Sequence, residues 1–147
     1  MAHTATAPDL TELASRLRLS VTRLARKLRQ EAQYGISLTL LSTLSAIDRA
    51  GRITIGELCA AEQVQPPTTS RAVAGLEEAG LVSRQHDQHD RRVSWLHVTP
   101  EGRKLLQRSR RRKEAFLAKR LRELEPAEIE VLEHAAGILE ELVEGAQ

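Results

Sequence analysis

Two closely spaced helix signals, bracketed by Gly51 and Gly80, constrain this chain more than any other feature. Thr54 and Glu57 form a capping-box pattern, in which a hydroxyl and a carboxylate satisfy amides of a first helical turn. The helix they open, from about Ile55 to Gln63, is short, because the chain breaks at Val64-Gln65. Pro66 then suits a first helical position, where its missing N–H costs nothing. That next helix is expected to run to Ala79, buried through Val73 and Leu76 and stopped by Gly80. A short helix, a tight turn and a second helix at a steep angle leave one face of the second helix free to present side chains.

The flanks extend the pattern. Asp9 can cap a long first helix striped by Leu10, Leu13, Leu17, Val21, Leu24 and Leu28, with Gly35 as its end. A second helix from about Ser37 to Ala50 puts Leu38, Leu41, Leu44 and Ile47 on its buried side. Arg52-Ile53 reads as short and extended. After Gly80, Leu81–Arg84 and Val93–Thr99 read as two short strands, and alternation in the second separates Leu96 and Val98 from Trp95 and His97. The residues from His86 to Arg92 include no apolar side chain, so they form a solvent-exposed hairpin loop. Thr99 caps a long basic fifth helix, and Pro126 opens a sixth striped by Ile129, Leu132, Ala136, Leu139, Leu142 and Val143. The expected fold is mainly α with a small β-hairpin wing. A winged helix-turn-helix lobe spans about 37–99, between long helices at about 9–34 and 100–145. Residues 1–8, small and polar, read as a disordered tail ahead of a single domain over 9–147.

A chain of 147 residues can bury a core without disulfides or a structural metal. With 2% aromatic residues, that core is aliphatic. The single cysteine, Cys59, excludes an internal disulfide, makes the cytoplasm the default compartment and reads as a small buried hydrophobe. No run approaches the ~18 apolar residues of a membrane span. The net charge of +2 hides a segregation of signs. Every charge from Arg16 to Arg29 is basic, and Glu114 is the only acid from Arg103 to Arg122; beyond Arg122 there is no Lys or Arg, only Glu. Segregated signs point to a basic working surface and an acidic end that faces elsewhere.

Such a lobe places its second short helix in a major groove of DNA and lets the hairpin reach the backbone or the neighbouring minor groove. Pro67, Thr68, Ser70 and Arg71 lie near the N-terminal end of that helix, where hydroxyls and an arginine meet phosphates and base edges. Arg91 and Arg92 stand at the hairpin tip, suited to the negative potential of a minor groove. The leucine stripes of the first and sixth helices, including Leu10, Leu13, Leu17, Leu132, Leu139 and Leu142, exceed what a lone lobe covers. A homodimer buries them and sets two half-sites about one helical turn, ~10 bp, apart.

The stretch from Ile53 to Leu106 resembles the MarR family of bacterial regulators. The likeness rests on Glu57-Leu58, on Thr68, Ser70, Arg71 and Leu76, and on Glu77-Glu78-Ala79-Gly80-Leu81-Val82. It continues through Asp87-Gln88-His89-Asp90-Arg91-Arg92, similar to an Asp-x-Arg-Asp-x-Arg wing, and Leu96-His97-Val98-Thr99-Pro100-Glu101-Gly102. The resemblance implies a dimer whose first, fifth and sixth helices interlock on a pseudo-palindromic site. It also implies repression by default, with release by a small, often aromatic or phenolic, effector bound between dimer interface and lobes. By position, Asp90 pairs with Arg92 and stiffens the wing, Arg91 enters the minor groove and Arg84 contacts a phosphate. His89 stands where the pattern has arginine, Pro66-Pro67 replaces a polar pair, and Gly75 replaces a common basic residue. These departures bear on operator sequence and binding strength.

Other readings are weaker. No Gly-rich phosphate loop, metalloprotease spacing or nucleophile elbow marks an enzyme, and nothing calls for a cofactor. His86 and His89 with Asp87 and Asp90 read as a solvated wing rather than a metal site. A redox role for Cys59 is disfavoured, since reactive cysteines in the family lie near the first helix. Tyr34 and Trp95 suit a ligand but are equally explained by packing, so no residue is assigned to an effector pocket. A winged helix used only for protein contacts, or non-specific architectural DNA binding, remains the alternative.

Overall fold

A computed structural model describes residues 9–32 and 35–145. The expected tail over 1–8 and Tyr34 lie outside the described residues. Along the chain run α1 (Leu10–Glu31), α2 (Leu38–Ala50), α3 (Ile55–Glu62), α4 (Pro66–Glu78), β1 (Val82–His86), β2 (Ser94–Val98), α5 (Pro100–Leu121) and α6 (Pro126–Glu144).

Local chemistry sets these boundaries. Asp9 accepts the Thr11 N–H at 2.9 Å and opens α1. At α3 the capping box closes: Thr54 Oγ1 accepts the Glu57 N–H at 3.2 Å, and Glu57 Oε2 accepts the Thr54 N–H at 3.0 Å. Only Gln63, Val64 and Gln65 separate α3 from α4. Gln63 makes the turn with φ of 53°, a left-handed conformation that a non-glycine residue adopts at some cost. With Pro66 at the start of α4, the chain cannot continue α3 and must change direction.

The core lies between α2, α3 and α4 and the inner face of the hairpin. Leu44, Ile47, Leu58, Val73, Leu76 and Leu96 are fully buried at its centre. Each contributes about 1.5–3 kcal/mol by leaving water. The strands are antiparallel, with Val82 opposite Val98, Arg84 opposite Leu96 and His86 opposite Ser94. Ile53 bridges to Leu96 as a minimal third strand, with bonds of 3.3 and 2.8 Å between their backbones. α1 packs along α5, and neither α1 nor α6 contains a buried residue.

Several expected boundaries move. The strand expected over Leu81–Arg84 is Val82–His86, because the Leu81 backbone is used elsewhere. Its N–H donates to the Leu76 carbonyl at 2.9 Å and its carbonyl accepts the Thr99 N–H at 3.0 Å. Polar Gln85 and His86 join the ladder instead, since ladder bonds need no apolar side chain. The second strand is trimmed to Ser94–Val98: Val93 donates to the Asp90 carbonyl in the tip, and Thr99 caps α5. α1 ends at Glu31 rather than near Gly35, and the Ala32 N–H closes it by reaching the Leu28 and Arg29 carbonyls. α3 and α4 each stop one residue early, at Glu62 and Glu78. Leu38 and Cys59 are half-buried rather than buried.

One junction joins α4, the wing and α5. Thr99 Oγ1 donates to the Gly80 carbonyl at 2.6 Å and accepts the Gly102 N–H at 3.1 Å. Gly102 is buried here, and a Cβ added to it would collide with the Leu81 carbonyl oxygen and stand 2.7 Å from Val98 Cγ1. Backbone cannot yield as a flexible side chain does. Gly102→Ala is therefore expected to destabilise the protein by about 1–3 kcal/mol. Urea denaturation checks this, and an unchanged midpoint would show that the junction is looser than its geometry indicates.

Candidate nucleic-acid interface

The two faces of α4 divide cleanly. Thr69, Ala72, Val73 and Leu76 point into the core, while Pro67, Thr68, Ser70 and Arg71 are exposed. The start of the helix offers an outside acceptor few amides. Pro66 and Pro67 have no N–H, and the N–H groups of Thr68 and Thr69 both reach the Gln65 carbonyl, at 3.0 and 3.2 Å. Contact at this end therefore falls to side chains. Arg71 has no ion-pair or hydrogen-bond partner among the described residues. A free guanidinium flanked by two hydroxyls attracts phosphate and can make a bidentate contact with guanine.

The hairpin tip is built on two aspartates. Asp87 donates its N–H to the Val93 carbonyl at 2.9 Å, and its carboxylate accepts the His89 N–H at 3.3 Å. Asp90 Oδ1 accepts both the backbone N–H and Nε of Arg92 at 3.0 Å, and Oδ2 accepts Nη2 at 3.1 Å. The Arg92 side chain and then its amide hold the Asp90 carboxyl below the ordinary aspartate range, with slight desolvation opposing. A carboxyl held low contributes fully above its ordinary value and loses that contribution only as pH falls through the lowered one. The brace is thus complete at neutral pH. Arg91 and His89 stand exposed beside it, and Arg91 has no partner among the described residues.

Other arrangements had no signal in the sequence. Arg84 Nε donates to Glu77 Oε1 at 2.7 Å, tying the wing's root to the last turn of α4. The pair offsets a carboxylate placed at a helix C-terminus, where the dipole disfavours it. The Arg52 guanidinium lies 4.2 Å from the centre of the Trp95 ring, a cation–π contact made possible by the Ile53–Leu96 bridge. Behind α4, a cleft of about 490 Å³ opens between α2, α3, α4 and the end of α1. It adjoins a second cleft of about 330 Å³ between α1, α2 and α5. Arg29 and Arg49 line both, and Lys113 lines the second. Sequence spacing gives no hint that these three cations converge.

With α3 and α4 packed together across a three-residue turn and an arginine-tipped hairpin beside them, the chain is a winged helix-turn-helix protein. Residues 36–94 match the MarR family. An uncharacterized helix-turn-helix-type transcriptional regulator of Mycobacterium leprae is 36% identical over 133 residues, covering 90% of this chain and 93% of that protein. A putative transcriptional regulator from Pseudomonas aeruginosa, solved by crystallography, superposes with a TM-score of 0.80 at 34% identity, over 95% of this chain and 99% of that one. A mutant of Staphylococcus aureus MepR, solved bound to an oligodeoxyribonucleotide, shares the fold at a TM-score of 0.68 and 21% identity, over 92% of this chain and 98% of that one. The chain belongs to the MarR family of winged helix-turn-helix, DNA-binding transcriptional regulators, a family of regulators and not of enzymes. No described helix is long and apolar enough to cross a membrane.

Because Asp90 braces an exposed loop, its loss is expected to act locally. Asp90→Ala should speed amide hydrogen exchange at Arg92 while leaving the melting temperature nearly unchanged. Unaltered exchange at Arg92 would mean that the backbone alone holds the tip.

Proposed function

We propose that this protein is a sequence-specific regulator, a repressor by default, that binds a pseudo-palindromic operator as a homodimer and is released by a small-molecule effector. The observation that carries the reading is a pair of arginines without partners among the described residues, Arg71 on α4 and Arg91 at the wing tip, presented by one packed lobe. Arg71, with Thr68, Ser70 and Pro67, reads base edges in the major groove. Arg91 enters the minor groove, with Arg92, His89 and Arg84 placed along the backbone, the two arginines already paired with Asp90 and Glu77. A MepR mutant that shares this fold has been solved bound to an oligodeoxyribonucleotide, and that supports DNA binding here.

The dimer reading rests on uncovered apolar surface. Leu10 is 75% exposed, Leu142 61% and Leu132 45%, with Leu13, Leu17 and Leu139 at 38–40% on the same two helices. Stripes of this length on α1 and α6 are what a second copy covers when long helices at 9–34 and 100–145 serve as the dimerisation unit. The effector reading gains support from the adjoining clefts behind α4, where Arg29, Arg49 and Lys113 favour an anionic aromatic or phenolic molecule. The DNA target sets the place of action in the cytoplasm.

Fluorescence anisotropy against a duplex from the protein's own upstream region and a scrambled duplex, across a salt series, tests the reading. The native duplex is expected to bind far tighter, and both affinities to fall steeply with salt. Arg71→Ala should cost about 1–3 kcal/mol on the native duplex and erode the preference, whereas Arg91→Ala should weaken both duplexes evenly. Equal affinity for both duplexes would favour architectural binding, and no binding at low salt would favour protein contacts. Leu132→Lys with Leu139→Lys, in sedimentation, should convert a dimer to a monomer with an intact lobe and weak DNA binding. A dimer that survives both charges would move the interface elsewhere. A thermal-shift screen of phenolic and drug-like compounds tests release, and a uniformly null screen counts against ligand control.

A further inference from the structure

Helix α6 has little support from its own chain. None of its residues is buried, and it packs substantially against no other described element. Yet Leu132, Leu139, Leu142 and Val143 stand exposed along it. A helix of 19 residues is marginal in water by itself, so this one needs a cover. α1 presents a matching surface. It packs on α5, but its Leu13, Leu17, Val21 and Leu24 remain exposed. The two stripes are bordered by opposite charges. By helical spacing, Glu133, Glu140 and Glu144 follow one edge of the α6 stripe, beside Ile129 and Ala136. Arg16 and Arg23 follow one edge of the α1 stripe, and Arg18 borders the other. All of these charged side chains are exposed, and none has an ion-pair or hydrogen-bond partner among the described residues. α6 contains no Lys or Arg, and α1 has no acid between Arg16 and Arg29. The two helices make no substantial contact within one chain, so their charges meet only across copies.

We propose that α6 of one copy lies on α1 of a second, Glu133, Glu140 and Glu144 facing Arg16, Arg18 and Arg23, and that this charge match selects the chain's own copy as partner. The proposal rests on the dimer reading above and adds to it the basis of partner choice. Twofold symmetry makes the contact occur twice, so each charge counts double. The apolar stripes supply burial but discriminate poorly, because one leucine stripe covers another whatever chain it belongs to. Charge does discriminate. A chain of the same fold with acids along its α1, or lysines along its α6, brings like charges together on one side of the contact. Exposed ion pairs add little affinity, so the effect falls on which partner is accepted. A polyanion seated on the α1 arginines instead would leave the α6 stripe uncovered. Salt separates the two contributions, since it screens exposed charges but does not weaken apolar burial.

Two full-length variants test this, E133K/E140K/E144K and R16E/R18E/R23E, each reversing the charge on one helix. Alone, each sets like charges against each other, and sedimentation is expected to show a dimer dissociation constant raised at least about tenfold. Mixed, they face opposite charges on both sides of the twofold: lysines of one α6 meet glutamates of the other α1, and the unaltered helices meet each other. Native mass spectrometry of the mixture, with one variant isotope-labelled, is expected to find about nine-tenths of the dimer as heterodimer, against about half for random pairing. The wild-type dissociation constant should rise about fivefold between ~0.05 and ~0.5 M salt. Circular dichroism confirms that each variant keeps its fold. Variants that dimerise as tightly as the wild type, random pairing, or folded variants that stay monomeric when mixed overturn the proposal while leaving the dimer reading intact. So does a wild-type dimer that salt leaves unchanged or tightens. A wild type that is monomeric at every concentration removes both readings together.

Discussion

The backbone of Leu96 is bonded on one side to Ile53 and sits on the other in register with Arg84, while its side chain is fully buried in the core. Three parts of the chain depend on that position. The segment before α3, the hairpin and the helices beneath it are all referred to the same side chain. A wing without this anchor would be a two-stranded ribbon, and such ribbons are marginal in water. With it, the wing is joined to the core on which α4 packs, as the proposed use of two grooves would require.

The handling of charge follows the same division between what must be fixed and what must be free. Three acids of the lobe have internal partners. Glu57 caps α3, Glu77 holds Arg84 and Asp90 holds Arg92. Surface pairs of this kind add little stability. Their effect is to keep carboxylates from repelling a polyanion and to hold selected arginines in place. Arg71 and Arg91, without partners among the described residues, keep their charge for an external acceptor.

Much of this was legible in the residues. The capping box at Thr54 and Glu57, the proline at Pro66 and the alternation through Leu96 and Val98 each encode local geometry, so the helix-turn-helix and the wing could be placed from sequence. The pairing of Asp90 with Arg92 was visible for the same reason, being two residues apart. Strand ends were less legible, because backbone pairing carried polar Gln85 and His86 into β1 while Leu81 was committed to other bonds. Arrangements that join distant segments left no trace: Arg52 on Trp95, Arg84 on Glu77, and Arg29 with Arg49 around one cleft. The apolar stripes on α1 and α6 were plain in the sequence, and neither helix contains a buried residue in the single chain.

The Thr99 junction has a mechanical consequence. By tying the Gly80 carbonyl to the Gly102 amide, it braces the end of α4, the root of the wing and the start of α5 against one another. α5 then acts as the rigid shaft of a lever, with the reading head welded to one end. Its 22 residues give an arm of about 33 Å, so a tilt of only ~5° at the far end swings the head by about 3 Å. Displacements of that size take a helix out of step with its groove. On the effector-released reading proposed above, control would need no unfolding of the head and no flexible linker. On that reading, a small change in shaft angle imposed along α5 would be sufficient.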